Sequence, residues 1–308
     1  MSNRRLTFCI FSFNRGQFLK NCVDSIRTCV PGADIAIFDD DSTDPDTLRY
    51  LEEAARYCEI IKPRAVGKIK HGGLYLNMQM ALEHCADRPM VCYLQDDTQL
   101  VRPLGDDELG QLEALFGNNP DLGFVHPCFI RGIDLRKRPV VAVPGESERT
   151  FYRQDKGQSA GIHYSDLLVT VPVRLLDKNW QFFQSEPGND QQAKQLFGSM
   201  LYLYDPFAMW LPEVPAYRGK KKTRALKWAE AKKGCGFFPF EVWTQDRSDQ
   251  FRTRRELDVP VAETYLNCSP EPRTRPWTYN PLTGLGWLKK LNSIEVFLDK
   301  LGKRLSGQ

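Results

Sequence analysis

The stretch Ile35-Ala-Ile-Phe-Asp39-Asp40-Asp41-Ser42-Thr43-Asp44, answered further on by Val91-Cys-Tyr-Leu-Gln-Asp96-Asp97, decides how this chain is read. Each is a short apolar run, of strand length, that stops abruptly in carboxylates. Adjacent acids delivered to one sheet edge repel one another unless a cation or a hydrogen-bonding ligand is held there. Two such edges point to a bound metal and a nucleotide.

Strand and helix patterns alternate on either side of these runs. Leu6 to Phe13 reads as a strand and Gln17 to Cys29 as a helix, with Phe18, Leu19, Cys22, Val23 and Ile26 at i, i+3, i+4 spacing. Ala33 to Phe38 is the second strand. Pro45 opens a helix that Asp44 can cap, turning Leu48, Leu51, Ala55 and Cys58 inward. The alternation continues with strands at Glu59 to Lys62, Pro89 to Leu94 and Leu122 to Cys128, and helices at Leu74 to Cys85 and Asp106 to Phe116. Such a pattern predicts a mainly parallel sheet flanked by helices, with ligands gathered at the carboxyl ends of the strands, where both acidic runs stand. Beyond it, residues 131–160 read as a long loop, and Tyr164 to Leu176 as another strand. Ser185-Glu186-Pro187-Gly188-Asn189-Asp190 reads as a polar turn before a helix to Phe197, and Met200 to Tyr204 as a last strand.

Composition limits the function classes. With 308 residues, 42% of them hydrophobic, the chain can bury one large core, or one core plus a smaller lobe. Its 42 basic and 39 acidic residues, net +3, are mixed along most of the length, which argues against a nucleic-acid partner. Nine cysteines, an odd number without a C-x-x-C pair, read as reduced, buried thiols of a cytoplasmic protein. No stretch reaches the roughly 18 to 20 apolar residues needed to cross a bilayer, so neither export nor an integral membrane segment is expected. The four scattered histidines form no metal motif.

The order strand, Ser12-Phe13-Asn14-Arg15, helix, Phe38-Asp39-Asp40-Asp41-Ser42-Thr43-Asp44, helix, strand, helix with Asn77, then Leu94-Gln95-Asp96-Asp97 resembles the family 2 glycosyltransferases of GT-A fold. The likeness is close as far as Asp97 and looser to Asp205. It implies an α/β nucleotide-diphospho-sugar transferase domain over residues 1–215 with a C-terminal extension over 216–308. It also implies transfer of a sugar from a nucleoside diphosphate donor to an acceptor hydroxyl, with inversion at the anomeric carbon. By the same likeness Asp97 reaches a divalent metal, Mn or Mg, and Asp96 the ribose or the metal. Asp39 accepts a hydrogen bond from the base, Ser12 and Phe13 line the base pocket, and Asn14, Arg15, Asp41 and Asn77 complete the donor-binding set. Asp190, in Gly188-Asn189-Asp190-Gln191-Gln192, takes the place of the base that deprotonates the acceptor, with Glu186 as a rival.

The chemistry accounts for these residue types. Breaking a sugar–phosphate bond leaves a diphosphate with added negative charge, which a cation held by carboxylates stabilises. An inverting attack needs a carboxylate to take the acceptor proton. The chain departs from the family pattern in three places. Leu76 stands where an Arg often precedes the helical Asn, leaving Lys68, Lys70 or His71 as cations for the diphosphate. Asn189 replaces a Glu, and no His follows Pro212, where Tyr217, Arg218 and Lys220 to Lys222 lie instead. Simpler readings stay open: Asp96 and Asp97 as a turn, Asp190 as a helix cap, and Trp180, Phe182 and Phe183 as core rather than a sugar platform. His126 is expected to pack or to line the acceptor cleft.

Two other functions compete. Asp39-x-Asp41-x-Thr43 after an apolar strand also fits the nucleophile motif of haloacid dehalogenase-like phosphatases, although there it ends the first strand. A binding or scaffold protein that keeps the shape with weakened catalysis is the second. At the C-terminus, residues 286–305 read as a basic amphipathic helix. It suits either packing on the domain or a peripheral contact with the inner face of the membrane, the latter compatible with glycan or lipid-linked acceptors in surface polysaccharide assembly.

Overall fold

The first strand is apolar at every position from Phe8 to Phe11, and the fold is organised around it. In the computed structural model, which describes residues 3–62, 73–137, 140–142, 149–153, 161–216, 222–255 and 258–305, Leu6, Phe8 and Ile10 enter one hydrophobic cluster while Cys9 and Phe11 enter another on the opposite face. A strand buried on both faces needs no polar alternation, and its run of apolar residues is the consequence. Lys68, Lys70, His71, Tyr217, Arg218, Lys220 and Lys221 lie outside the described residues.

In chain order the elements are β1 (Asn3–Ser12), α1 (Gly16–Cys29), β2 (Ala33–Asp39), α2 (Pro45–Ala54), β3 (Glu59–Ile61), α3 (Leu74–His84), β4 (Met90–Gln95), β5 (Thr98–Leu100), α4 (Asp106–Asn118), β6 (Val125–His126) and α5 (Gly132–Lys137). They continue with β7 (Val140–Ala142), β8 (Thr150–Arg153), β9 (Leu168–Thr170), α6 (Pro172–Asp177), α7 (Glu186–Leu196), β10 (Leu201–Leu203), β11 (Ala208–Trp210), α8 (Arg224–Lys233), α9 (Gln245–Arg252), α10 (Ala262–Tyr265) and α11 (Gly286–Leu305). Nine strands form one sheet in the order β3-β2-β1-β4-β9-β6-β10-β8-β7. β3, β2, β1 and β4 are parallel neighbours. Beyond them β9 and β8 run opposite to the rest, so the sheet is mixed with most strands in one direction. Helix α1 packs Leu19, Cys22, Val23 and Ile26 on one face, and α3 packs Met78, Ala81 and Leu82 on the other. The α/β class and mainly parallel sheet expected from the sequence are present.

The second half differs from its sequence reading in three ways. The stretch expected as a strand from Tyr164 to Leu176 is strand only over Leu168–Thr170, because Pro172 sits in the first turn of α6 and pre-sets a helical φ. The strand expected to Cys128 stops at His126, where Pro127 has no amide to donate. Residues 131–160, expected as a loop, contain α5, β7 and β8.

Much of what lies beyond Pro215 belongs to the main core. Phe240, Trp243, Phe251, Leu266 and Trp277 join the cluster that holds Phe8 and Ile10. Gln99, buried at the centre of β5, fixes this segment by accepting from the Phe240 amide and donating to its carbonyl, at 2.9 and 2.7 Å. Helices α8 and α11 form a small separate pair through Ala225, Ala229 and Leu288. All nine cysteines are free, eight of them buried, and among the described residues no helix is long and apolar enough to cross a membrane.

Candidate active site

The parallel neighbours β2, β1 and β4 bring both acidic runs to one sheet edge. Ser12 is in register with Asp39, and the amides of Asp40 and Asp96 donate to the Ser12 and Phe11 carbonyls, at 2.9 and 3.0 Å. The acids after β2 do not share one job. Asp39 is buried and accepts from the Ser42 amide at 2.8 Å and the Ser42 hydroxyl at 2.6 Å. Asp40 accepts from the Gly73 amide at 2.6 Å. A Cβ at position 73 would fall 1.8 Å from Asp40 Oδ1, so any other residue there would displace the Asp40 carboxylate. Burial raises the Asp40 pKa and the Gly73 amide pulls it back. Asp41 is exposed in a left-handed conformation, φ 59°, and Asp44 caps α2 through Thr47, as the sequence predicts.

Asn14 locks this loop from the β1 side. Its backbone is left-handed, φ 52°, which Asn tolerates better than most residues. Its amide donates to Ser42 Oγ at 2.9 Å, and its Oδ1 accepts from the amides of Thr43 and Asp44 at 2.7 and 2.8 Å. The structure therefore places Asn14 as a positioning residue for the β2–α2 loop.

After β4, Asp96 accepts from the Phe13 amide at 3.1 Å, and Arg15 Nη1 bridges Asp96 at 3.2 Å and Asp97 at 2.7 Å. Burial raises the Asp96 carboxyl to about 6, opposed by Arg15 and reinforced by Asp97. Burial works against the Arg15 charge, and the two carboxylates more than compensate. Three oxygens of residues nominated from sequence, Ser12 Oγ, Asn77 Oδ1 and Asp97 Oδ1, are buried without a protein partner. Such groups call for a ligand, water or ion.

No group of three or more His, Cys, Asp and Glu able to hold a metal occurs among the described residues. The donor set consists of Asp97, one carboxylate oxygen already bonded to Arg15 and the other buried and open. That fits an ion which brings most of its ligands with a diphosphate and water, as Mg and Mn do at phosphate sites, and does not fit an all-protein cage.

Asp97 also walls a cavity of about 250 Å³ that reaches across the sheet to His126, Arg131, Arg153, Asp166, Glu186 and Tyr279. Asp166 is the residue that sequence reasoning missed. Its pKa is raised to about 7, first by burial and then by Glu186, with Tyr164 and Tyr75 pulling the other way. The Tyr75 hydroxyl donates to Asp166 Oδ2 at 3.3 Å, while Oδ1 has no partner. The available signal was a lone acid directly before an apolar strand, in Tyr164-Ser-Asp166-Leu-Leu.

Asp190 has a different setting from the one expected. Helix α7 starts at Glu186 with Ser185 as its cap, so Asp190 lies a turn inside rather than at the N-terminus. Its Oδ1 accepts from four successive amides, Gly161, Ile162, His163 and Tyr164, at 2.9 to 3.1 Å. It fixes the segment that presents Asp166, whereas Glu186, the rival, is on the cavity wall. Trp180 and Phe182 are buried in the core and Phe183 is half exposed. His126 lines the cavity and is buried, with Nδ1 at 2.9 Å from the Leu167 carbonyl. A carbonyl only accepts, so Nδ1 carries the proton and Nε2 the lone pair.

Comparison with known proteins finds no matching family model and no matching curated protein. Among solved structures, a mannosyltransferase from Pyrobaculum calidifontis in complex with GDP-Man and Mn2+ is similar with a TM-score of 0.44 and 13% identity, over 82% of this chain and 65% of the other. This chain thus spans about 65% of that enzyme's length. A mycobacterial protein is similar with a TM-score of 0.41 and 11% identity, over 92% of this chain and 88% of the other.

Proposed function

We propose that the chain is a metal-assisted glycosyltransferase of GT-A fold and family 2 type, moving a sugar from a nucleoside diphosphate donor to an acceptor hydroxyl with inversion. One observation carries the reading: the cavity that Asp97 walls on the strand-edge side also contains Asp166, a carboxyl titrating close to neutrality. A group with that pKa takes a proton efficiently at physiological pH. Ser12 and Asp39 bind the nucleoside on a loop that Asn14 holds, and Arg15 bridges and orients Asp96 and Asp97. Asp97 would hold the divalent ion, which when bound stabilises the departing diphosphate. Asp166, with Glu186 beside it, receives the acceptor proton, and Asp190 holds the wall on which Asp166 stands. The phosphatase alternative would need Asp39 to end the first strand, whereas it ends β2, after a complete strand and helix.

The test is titration of uridine and guanosine diphosphate with and without Mn2+, followed by donor hydrolysis. Manganese-dependent binding that Asp97→Asn weakens supports the transferase. Release of phosphate from para-nitrophenyl phosphate, without nucleotide binding, reverses the assignment.

We further propose that the acceptor is membrane-associated, with α11 as the contact. Trp228 and Trp287 pack edge to face, centroids 4.9 Å apart, with more than half of each exposed. Ile294, Phe297 and Leu298 are exposed along the same helix, with Lys289 and Lys290 exposed beside them, the composition of an interfacial helix for anionic lipid. Sedimentation with phosphatidylglycerol vesicles should drop on truncation after Gly284; unchanged sedimentation removes the contact.

A further inference from the structure

The cavity is bipolar. At one end Asp166 lies beside Glu186, whose charge adds to burial in raising the Asp166 pKa. At the other, Arg131 and Arg153 share one carboxylate, Asp134, at 2.5 Å from the first and a loose 4.0 Å from the second. Among the described residues, Asp134 is the one carboxylate that both guanidinium groups pair with. Arg153 is 5% exposed and its Nε is buried without any partner. Buried guanidinium donors are normally spent on carboxylate, phosphate or carbonyl; Arg153 lines the cavity with this donor unspent, so its charge is incompletely answered by the protein.

The surroundings sharpen the preference. Arg153 lies over the Tyr202 ring at 4.7 Å, and Arg131 lies against Trp210 and Tyr279 at 5.2 and 5.3 Å. These walls hold both forks in place; Arg153 is buried, whereas the Arg131 side chain keeps 32% of its surface exposed. His126 between them is neutral: burial, then Arg153 and Arg131, hold its pKa down at about 3. It contributes a lone pair able to accept from a sugar hydroxyl, and no third cation.

The position separates this end from the donor. Arg153 is on β8, five strands along the sheet from β1, where Ser12 and Asp39 mark the nucleoside. At about 4.8 Å per strand that is roughly 24 Å. Resting on the transferase reading, we infer that Arg131 and Arg153 form an acceptor subsite for an anionic group, so that the sugar acceptor carries a phosphate or a carboxylate held away from Asp166 while its hydroxyl faces that carboxyl.

The inference is tested by binding, without turnover. Glucose 6-phosphate, glucuronate and glucose are titrated calorimetrically into the full chain, alone and with saturating uridine diphosphate and Mn2+. The anionic sugars should bind at least about ten-fold tighter than glucose, since a charge-assisted contact is worth that much. Preference for glucose 6-phosphate assigns a phosphate-bearing acceptor, and preference for glucuronate a uronic acid. Arg153→Met, which keeps the stem on Tyr202, should erase the ten-fold preference, and Arg153→Lys should retain part of it. Arg131→Gln is the independent second variant, with thermal unfolding recorded for each. Equal binding of the three sugars to the wild type, or an anion preference intact in both Arg153→Met and Arg131→Gln, overturns the subsite. Displacement of the anionic sugar by the nucleotide also overturns it, because the arginines would then serve the donor diphosphate. Nucleotide binding that persists while the anion preference is missing sinks the subsite alone and leaves the transferase reading standing.

Discussion

The strand-edge half of the site and the cavity half treat negative charge in opposite ways. Along the edge every buried or half-buried acid is paired locally: Asp39 with Ser42, Asp40 with Gly73, Asp44 with Thr47, and Asp96 and Asp97 with Arg15, while Asp41 is exposed. In the cavity Asp166 faces another carboxylate and receives only phenol hydroxyls. A paired acid is a fixed charge, suited to holding a donor and its ion, whereas a crowded buried one is poised to exchange a proton. On the proposed reading the difference separates binding from chemistry, and each half can be broken separately.

The largest effect is expected at Asp166. Asp166→Asn should lower kcat by about 10³-fold, within the range for loss of a general base, while nucleotide binding stays unchanged. Stability should move the other way. The folded pKa is raised from the ordinary carboxyl value to about 7. Its contribution is therefore full below pH ~4 and lost as pH rises through ~7, and the amide escapes that loss. Above pH 7 the variant should be the more stable protein, by up to ~4 kcal/mol in urea titrations. A kcat within ten-fold of wild type would move the base to Glu186 or Asp190.

Arg15→Met breaks the other half. Without the guanidinium, Asp96 and Asp97 are adjacent buried carboxylates, and removing one partner of a buried ion pair costs roughly 3 kcal/mol. Because Asp96 is already raised to about 6, the loss should shrink below pH 5, where protonation relieves the repulsion, and Mn2+ should restore part of it at pH 7.5. A loss independent of both pH and metal would show that Arg15 is packing rather than neutralising.

Asp190→Asn tests the boundary between the halves. Four amides then meet a neutral acceptor, a loss of about 2 kcal/mol. If Asp190 only holds residues 161–164, kcat should fall with the Asp166 pH limb displaced. If kcat vanishes with that limb unmoved, Asp190 is itself the base.

How much of this was legible in the chain follows from the same comparison. Two strands of the edge, β2 and β4, are each announced by an apolar run ending in acids, so Asp39, Asp96 and Asp97 could be named before any fold was known. Even there, the pairing of Arg15 with both acids bridges about eighty positions and left no periodic trace. The cavity takes His126, Arg153, Asp166, Glu186 and Tyr279 from five separate segments, brought together by short strands that break the parallel pattern. No local spacing encodes such a meeting. Asp190 is the converse case: a local motif singled it out, and its hydrogen bonds to the amides of residues 161–164 are tertiary contacts that no motif encodes.

The smallest effect is the most discriminating for the edge. Asn14 does two things at once: its φ of 52° turns the chain, and its side chain holds the Thr43 and Asp44 amides. Glycine supplies the turn without the clamp, so Asn14→Gly should cost only the hydrogen bonds, about 1 kcal/mol. Alanine loses the clamp and adds left-handed strain, about 1 kcal/mol more. The gap between the two variants measures strain, and the shared loss measures the clamp. Because the clamp positions the loop that carries Asp39, both variants should raise the donor KM several-fold with kcat retained. Equal stability of the two would remove the strain, and an unmoved KM would separate the β2–α2 loop from the nucleotide altogether.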